Sequence, residues 1–266
     1  MFRENLNFLH PIFANNTFED FNVIVVNQTT EDKILTSKFK NVTVINSFER
    51  GSPASRNLAI RNATADVCVM SDDDIVYKPN LKQIIENAYA ENSKADMISF
   101  EAIDEDNKPY TNYYPEGPHN KKTLKKIYTW VISFNRARFK AHQVYFNHYF
   151  GVGSVFKGET EYVFLRDAFD KGLKMIHKSI TIVKHPNYSS GKQMGSDNAL
   201  FAKTALRQRF LGNLSYIWLV KYTIYMWKDG YITCNEMPRK FKIGLQGIRT
   251  YKKLKSSGKI NKIYEL

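Results

Sequence analysis

Three successive carboxylates, Asp72, Asp73 and Asp74, follow the apolar run DVCVM (66–70), and Pro79 closes the segment. Like charges repel at this spacing, so a positive group nearby would stabilise them. Carboxylate oxygens presented from a turn suit Mg²⁺ or Mn²⁺, ions that bind one or two carboxylates together with substrate phosphates. Aspartate is also common in turns that hold no ligand. The triplet alone therefore indicates either a metal site or an ordinary turn.

The segments around this triplet alternate between strand and helix. Apolar runs with the length and composition of buried strands lie at 21–26, 41–45, 66–70 and 96–100. Ser52 and Pro53 are residue types that begin a helix, and apolar residues recur at helical spacing over 81–88. This order predicts an α/β fold whose mostly parallel, twisted sheet is flanked by helices. Ligands of such sheets bind beyond the carboxyl ends of the strands, where the triplet falls.

Composition restricts the class of protein. The chain has 266 residues, 43% hydrophobic and 24% charged, as expected for one core with an appendage. Cys68 and Cys234 are the only cysteines, which excludes a disulfide framework and favours a reducing, cytoplasmic compartment. The first residues carry an acidic residue and a proline, unlike a secretory signal, and no run of 18 apolar residues occurs.

The positive charge is concentrated in one part of the chain. Residues 1–200 contain 25 Lys and Arg against 23 Asp and Glu, whereas residues 201–266 contain 14 against 3. This asymmetry predicts a boundary near residue 195 and argues against a nucleic-acid-binding function for the whole protein. We therefore expect one domain over 1–194 and a basic, aromatic, helical tail over 195–266.

Four segments in a fixed order resemble the family-two nucleotide-sugar glycosyltransferases, which have the GT-A fold. They are FNVIVVNQTTED (21–32), ERGSPASRNLAIRNATADVCVMSDDDIVYKP (49–79), KGETEYVFLRDAFDKGLKMI (157–176) and VKHP (183–186). The resemblance covers about residues 20–190. It implies a donor side at about 1–110 and an acceptor side at about 111–194. It also implies an inverting enzyme that uses Mn²⁺ or Mg²⁺ with a nucleotide-diphosphate sugar donor.

The resemblance assigns roles on the donor side. Asp74 would bind the ion that bridges the two phosphates, and Asp72 would contact ribose or metal with Asp73 beside it. Gly51 precedes the helix that carries Arg56 and Asn57, two residues that would bind the donor. An arginine is a suitable partner for a diphosphate, although Arg56 is also compatible with a surface helix.

Three further positions are implied by the resemblance. Asn27 stands where the family often has an aspartate that contacts the nucleoside. His185 resembles the histidine that completes the metal or diphosphate site. The segment with Ser189, Ser190 and Lys192 could close over the diphosphate as a loop.

The acceptor side departs from the usual Gly-Glu-Asp, since KGETEY gives Gly158, Glu159, Thr160 and Glu161. In an inverting reaction a carboxylate accepts the proton of the acceptor hydroxyl. Glu159 corresponds to the family glutamate, and Glu161 lies two residues further on, so either could be the base. A purely structural interpretation is also open, with Thr160 as the N-cap of a helix that runs to Lys171.

The family normally opens with a strand and a Tyr-Asn-Arg-like turn, and here residues 3–21 read instead as the helix that follows that strand. This departure leaves a non-catalytic GT-A-like scaffold as an alternative to an enzyme. A nucleic-acid-binding protein that uses the basic tail is a less favoured alternative.

The tail interleaves cations with aromatic residues, namely Phe210, Tyr216, Trp218, Tyr222, Trp227 and Phe241. Aromatic side chains settle at a lipid interface while Lys and Arg meet headgroups. We therefore expect the tail to bind an anionic membrane on its cytosolic face, as suits an enzyme with a glycan or lipid-linked acceptor in polysaccharide assembly. A helical cap with solvated lysines is the alternative.

Overall fold

A computed structural model describes residues 3–186 and 195–261 of the chain. The described residues form two compact units. The first contains residues 3–50, 55–145 and 164–186, and the second contains residues 51–54, 146–163 and 195–261. Strands and helices are both abundant, which confirms the predicted α/β class.

The strands of the described chain belong to the first unit. They are β1 (Val23–Gln28), β2 (Val42–Ser47), β3 (Val67–Val69), β4 (Val76–Tyr77), β5 (Met97–Ile103), β6 (Gly117–Pro118), β7 (Ile132–Asn135) and β8 (Met175–Lys184). The four apolar runs expected to be strands form β1, β2, β3 and β5. Their β-branched residues suit a pleated surface, and β5 is the most buried of the four strands.

The strands pair in two sheets. β1 and β2 form a parallel pair, and the larger sheet has the order β3-β7-β5-β8-β4, with β6 also paired to β8. In the larger sheet only the β5–β8 pair is parallel among the described strands. The expected mostly parallel sheet is therefore corrected to a mixed one.

The reversal of β7 has a physical cause in the connection that precedes it. Between β5 and β7 the described chain forms β6 and two 3₁₀ turns but no α-helix. A parallel neighbour needs a long crossover that carries the chain back to the starting edge. Here β7 joins the sheet at Ile132, which pairs with Ser99 of β5. It then runs antiparallel to β5, so that Phe134 pairs with Met97.

The helices of the described chain are, in order, α1 (Leu9–Ile12), α2 (Ser52–Asn62), α3 (Leu81–Glu91), α4 (Arg136–Ala141), α5 (Thr160–Asp170), α6 (Asp197–Leu211), α7 (Leu214–Lys228) and α8 (Met237–Ser256). The expected helix starts at Ser52 and Leu81 are confirmed. α3 buries Leu81, Ile85 and Ala88, the face that its spacing predicts. The helix expected over residues 3–21 is limited to α1 and one 3₁₀ turn at Phe18–Asp20.

The predicted helical C-terminal tail is confirmed as α6, α7 and α8, which pack on one another in the second unit. The aromatic residues of the tail are placed differently from the expectation. Phe210, Tyr216, Trp218, Tyr222 and Phe241 are half-buried, and only Trp227 of the six is exposed. Tyr216, Tyr222 and Phe241 cover a buried cluster that includes Leu219 and Ile248, because packing between the helices takes up their apolar surface. In the described part of the chain, no helix is long and apolar enough to cross a membrane.

Two glycines of α8 let the tail helices approach closely. A Cβ added at Gly247 would lie 2.4 Å from the backbone oxygen of Phe201 on α6. A Cβ at Gly244 would meet the side chain of Leu219 on α7. Backbone cannot move aside as a flexible side chain does, so Gly247 is the more restrictive position.

We expect Gly247→Ala to lower the free energy of unfolding by roughly 1–3 kcal/mol, because the added methyl group forces α6 and α8 apart. Urea unfolding followed by circular dichroism measures this loss. Gln246→Ala, at an exposed neighbouring position of the same helix, is the matched control and should change stability little. Equal stability of the Gly247 and Gln246 variants would contradict the close packing.

Candidate functional site

The Asp triplet lies in the turn between β3 and β4, beyond the carboxyl end of β3. Ile75 and Tyr77, which follow it, are 1% and 2% exposed, whereas the Asp74 side chain is 55% exposed. Burial raises the pKa of Tyr77 to about 12, so its hydroxyl stays protonated. The apolar residues thus anchor the turn in the core and leave its carboxylates at the surface.

Each carboxylate of the triplet faces a different basic group of the first unit. Asp72 Oδ1 lies 3.2 Å from Nη2 of Arg56, and Asp73 Oδ2 lies 2.9 Å from Nε of Arg3. Asp74 Oδ1 lies 3.7 Å from Nε2 of His185, a group that is positive only when protonated. Two arginines therefore offset the repulsion within the triplet.

Asp72, Asp74 and His185 form a group of possible metal ligands, since one ligand atom of each lies within 4.8 Å of the others. The pairing of β4 with β8 brings them together. Val76 is opposite Lys184 in this antiparallel pair, so the residue after β8 meets the turn before β4. Asp73 points to Arg3 instead.

The ring of His185 is held in one orientation. Its Nδ1 lies 2.7 Å from the backbone oxygen of Pro186, and a carbonyl oxygen only accepts, so Nδ1 is the donor. In the neutral ring Nε2 then carries a lone pair on the side of Asp74. A backbone carbonyl on the second nitrogen is the usual arrangement around a metal-binding histidine. Two carboxylates and this imidazole fit a divalent cation.

An aromatic group behind His185 was missed by the sequence reasoning. The His185 ring stacks on Trp130 with ring centroids 4.5 Å apart, and the Tyr110 ring lies edge-on to His185 with centroids 5.2 Å apart. Tyr128 stacks on Trp130 with ring centroids 5.0 Å apart and meets Tyr110 edge-on. Tyr128 and Trp130 are close together in the sequence, but this closeness does not predict that they pack beside His185. His185 is 6% exposed as a result of this packing.

Asn27, a predicted nucleoside contact, is 2% exposed and already bonded. Its Oδ1 accepts from the backbone N–H of Arg3 at 3.2 Å, and its Nδ2 donates to Oδ1 of Asn46 at 3.2 Å. Asn27 therefore ties the segment of Arg3 to the ends of β1 and β2. Asn57 lies on α2 beside Arg56 and is 8% exposed. Ser189, Ser190 and Lys192 lie outside the described residues.

In the second unit, Gly51 has a backbone φ of +123°, a conformation that favours glycine, directly before α2. The segment before α5 combines Gly158 at φ +144° with Glu159 at φ +62°. A glutamate in the left-handed region is uncommon and costs on the order of 1 kcal/mol, and such residues cluster at functional sites.

The start of α5 corrects one structural expectation. The backbone oxygen of Glu159 accepts from the N–H of Val163 at 3.0 Å, so Glu159 and not Thr160 occupies the N-cap position. α5 ends at Asp170, close to the predicted end at Lys171. Thr160 is 5% exposed, and its Oγ1 has no hydrogen-bond partner among the described residues. Glu161 lies in the first turn of α5.

A second polar cluster, also missed from sequence, lies inside the larger sheet. Ser99 Oγ is 2.8 Å from Nε2 of His119 and 3.1 Å from Nδ1 of His177. Nε2 of His177 is 3.3 Å from Oε1 of Glu101, and Nδ1 of His119 is 3.0 Å from the hydroxyl of Thr123. Ser99 is 1% exposed, so this arrangement is a buried hydrogen-bond network and not a nucleophile open to substrate.

Burial lowers the pKa of His119 to about 4, and the charge of His177 acts in the same direction. His119 is therefore neutral inside the folded protein at neutral pH. Its pKa in the unfolded chain is near 6.5, so the unfolded state binds the proton first as pH falls.

The chain is similar to known proteins in sequence and in fold. A family model described as "Glycosyl transferase family 2" matches residues 6–151. A search of curated proteins finds no match. The crystal structure of S. aureus TarS 1-349 in complex with UDP-GlcNAc has a TM-score of 0.56 at 11% identity, over 97% of this chain and 89% of that chain. Another crystal structure of S. aureus TarS 1-349 has a TM-score of 0.53 at 12% identity, over 99% of this chain and 89% of that chain. At these identities the structural matches show a shared fold.

We expect the network around His119 to make stability depend on pH between about 6.5 and 4. The stability contributed by the neutral ring is complete above pH 6.5 and is lost as pH falls towards 4. Thermal unfolding of wild type and His119→Gln across this range measures the effect, since Gln does not titrate. The variant should lose stability less steeply on acidification. Identical pH dependence in the two proteins would contradict the role of His119.

Proposed function

We propose a specific reaction for this chain, a glycosyltransferase that belongs to glycosyl transferase family 2. It moves a sugar from a nucleotide-diphosphate donor to a hydroxyl group of a glycan or lipid-linked acceptor, with inversion at the anomeric carbon. The observation that carries the proposal is the group formed by Asp72, Asp74 and His185 at the carboxyl end of β3. Ligands of open α/β sheets bind at this edge.

A nucleotide sugar as donor is supported by fold and by charge. S. aureus TarS, which shares the fold, has a structure in complex with UDP-GlcNAc. In this chain Arg56 lies beside the triplet, with a side chain 15% exposed. A partly buried guanidinium binds phosphate oxygens more strongly than a fully solvated one. Arg56 would therefore contact the diphosphate, with Asn57 and Gly51 as further donor-side residues.

Asp72, Asp74 and His185 would hold Mn²⁺ or Mg²⁺. When bound there, such an ion neutralises charge on the diphosphate as it leaves. The protein's own contribution is the orientation of the ligands. The Pro186 carbonyl fixes the imidazole, Trp130 packs on its face, and Arg56 holds Asp72.

The transfer step needs a proton acceptor. The acceptor oxygen forms a bond to the anomeric carbon while the bond from that carbon to the diphosphate oxygen breaks. The hydroxyl proton passes to a carboxylate, and the nucleoside diphosphate leaves with the electron pair. Glu159 and Glu161 are the candidate bases. The left-handed backbone at Glu159 favours Glu159 as the base, because strained backbone conformations of this kind cluster at functional sites.

The acceptor belongs, in this proposal, to the assembly of cell-surface polysaccharide. The basic tail would attach the enzyme reversibly to an anionic membrane surface on the cytosolic side. The charge of residues 201–266, with 14 Lys and Arg against 3 Asp and Glu, supports this attachment.

The metal site predicts a fluorescence signal. Mn²⁺ added with UDP should quench Trp130, because a paramagnetic ion held by His185 would lie close to the stacked indole. Asp74→Asn should weaken this quenching at least about tenfold in apparent Mn²⁺ affinity, since a charged ligand is lost. Fluorescence titration and calorimetry both measure the affinity.

Asp73→Asn is the matched control for Asp74→Asn, because Asp73 lies in the same turn but faces Arg3. It should keep the quenching, whereas Trp130→Phe should remove most of the signal and leave calorimetric binding in place. Unchanged Mn²⁺ affinity in a folded Asp74→Asn protein would remove Asp74 from the site.

The proposed base is tested by exchanging each glutamate for glutamine. We expect either Glu159→Gln or Glu161→Gln to lower the rate of transfer roughly 10²- to 10⁴-fold while donor binding is retained, because only the proton acceptor is lost. Product formation from radiolabelled sugar nucleotide measures transfer, and calorimetry with UDP measures binding. Near-normal transfer by both variants would exclude this segment from acid/base catalysis.

A further inference from the structure

α7 exposes a mostly apolar side, on which Lys221 and Lys228 are also exposed. Six large side chains on one side of this helix are between 38% and 61% exposed, namely Leu214, Ile217, Val220, Ile224, Tyr225 and Trp227. Successive members recur mostly at spacings of three and four, which places them along one side of a helix. The opposite side, with Leu219, Thr223 and Met226, is buried in the tail.

The exposed apolar residues of α7 are not covered by packing within the tail. Single exposed apolar residues are ordinary on protein surfaces, whereas a contiguous group along a helix marks an interaction surface. The buried side of α7 already packs against the cluster that contains Leu200 and Ile248. Packing within the tail therefore does not account for the exposed side.

Cations border the apolar face. The guanidinium of Arg207 on α6 lies 4.8 Å from the ring centre of Trp218, and the ammonium of Lys203 lies 5.6 Å from that of Tyr222. On α8, Lys252 lies 4.9 Å from the ring centre of Tyr216. α7 itself adds Lys221 and Lys228, which are exposed and lie three and four residues from Ile224, on the same side of the helix as the apolar residues. Positive groups from all three helices thus surround α7.

The carboxylates of this region offset only part of that charge, since residues 201–266 contain 3 Asp and Glu against 14 Lys and Arg. Asp197 is bonded to Lys240, and its pKa is held below the usual range by Lys240 and Arg239. Glu236 is bonded to Thr233 before α8. Asp229 lies at the C-terminal end of α7, where it directly follows Lys228.

We infer that the exposed face of α7 docks on an anionic bilayer surface, with its apolar side chains at the acyl boundary and the bordering cations at the headgroups. The inference deepens the membrane attachment in the proposed function by naming the surface that makes it. The exposed side of α7 combines Leu, Ile, Val and Trp with Lys, and these are the residue types that bind the boundary between acyl chains and headgroups. The 15 residues of α7 suit lying on the bilayer.

A second copy of the chain fits the face less well. A symmetric contact through α7 would bring Lys221 and Lys228 of both copies to one interface, where like charges oppose association. A nucleic acid would use the cations but would leave Ile217, Val220 and Ile224 without a role. An anionic bilayer uses both features.

The experiment measures binding of the full chain to vesicles, which requires no transferase activity. The probes are vesicles of phosphatidylcholine alone and of phosphatidylcholine with phosphatidylglycerol, at low and high salt. We expect binding to the anionic vesicles at low salt, weaker binding at high salt because exposed charges are screened, and no binding to neutral vesicles.

Two double variants test the apolar residues and the lysines of α7 separately. Ile217→Gln with Ile224→Gln removes apolar contacts without a change of charge and should weaken binding about tenfold or more. Lys221→Gln with Lys228→Gln should weaken binding about tenfold at low salt and reduce the salt dependence. The matched control is Ile34→Gln with Phe48→Gln, which alters exposed apolar residues of the first unit and should bind like wild type.

Three outcomes would contradict membrane attachment or the role of α7 in it. If wild type ignores anionic vesicles at low salt, membrane attachment itself is wrong, whatever the transferase assay shows. If wild type binds and the α7 variants, shown folded by circular dichroism, bind equally well, another surface makes the contact and the inference is overturned. If light scattering finds a dimer that the isoleucine variant dissociates, a second copy covers the face and the inference is overturned.

Discussion

The pairing of β4 with β8 is the constraint on which the candidate site depends. These strands share only two residue pairs, Val76 with Lys184 and Tyr77 with Val183. That register places His185 next to the turn that carries Asp72 and Asp74, although about 110 residues separate them along the chain. A shift by one residue would turn Ile75 and Tyr77 out of the core, so the burial of these two side chains also keeps the ligands in position.

Charge balance within the first unit follows from the same turn. Three adjacent carboxylates are tolerated because Arg56 and Arg3 reach two of them from different segments of the chain. Arg3 is in turn held through its backbone by Asn27, which links the first strand to the triplet. Asp74 and the buried His185 lie beside each other, and the aromatic rings of Trp130 and Tyr110 pack against the imidazole. The geometry thus directs Asp73 to Arg3 and brings Asp72 and Asp74 together with His185.

The second unit has a different organisation, governed by helix packing. Gly244 and Gly247 allow α8 to approach its neighbours, so the three tail helices share a buried core. The basic tail is therefore a folded element and not a solvated segment. Packing also selects which apolar residues stay outside, since Tyr216 and Tyr222 turn inward while Ile217 and Ile224 of the same helix face solvent. The bordering cations lie over the half-buried rings, which keeps positive charge close to the exposed face.

Local features of this protein were readable from its sequence, because residue type and spacing determine them. The apolar runs gave β1, β2, β3 and β5, and the residue pattern over 81–88 gave α3. The order of the motifs indicated the family, and the charge count located the basic tail. The tertiary structure alone decided the rest. The antiparallel direction of β7, the partners of each aspartate, the stack of Trp130 on His185 and the inward or outward side of α7 all depend on contacts between distant segments. Such contacts are set by the packing of the whole unit, for which neighbouring residues in the sequence carry no signal.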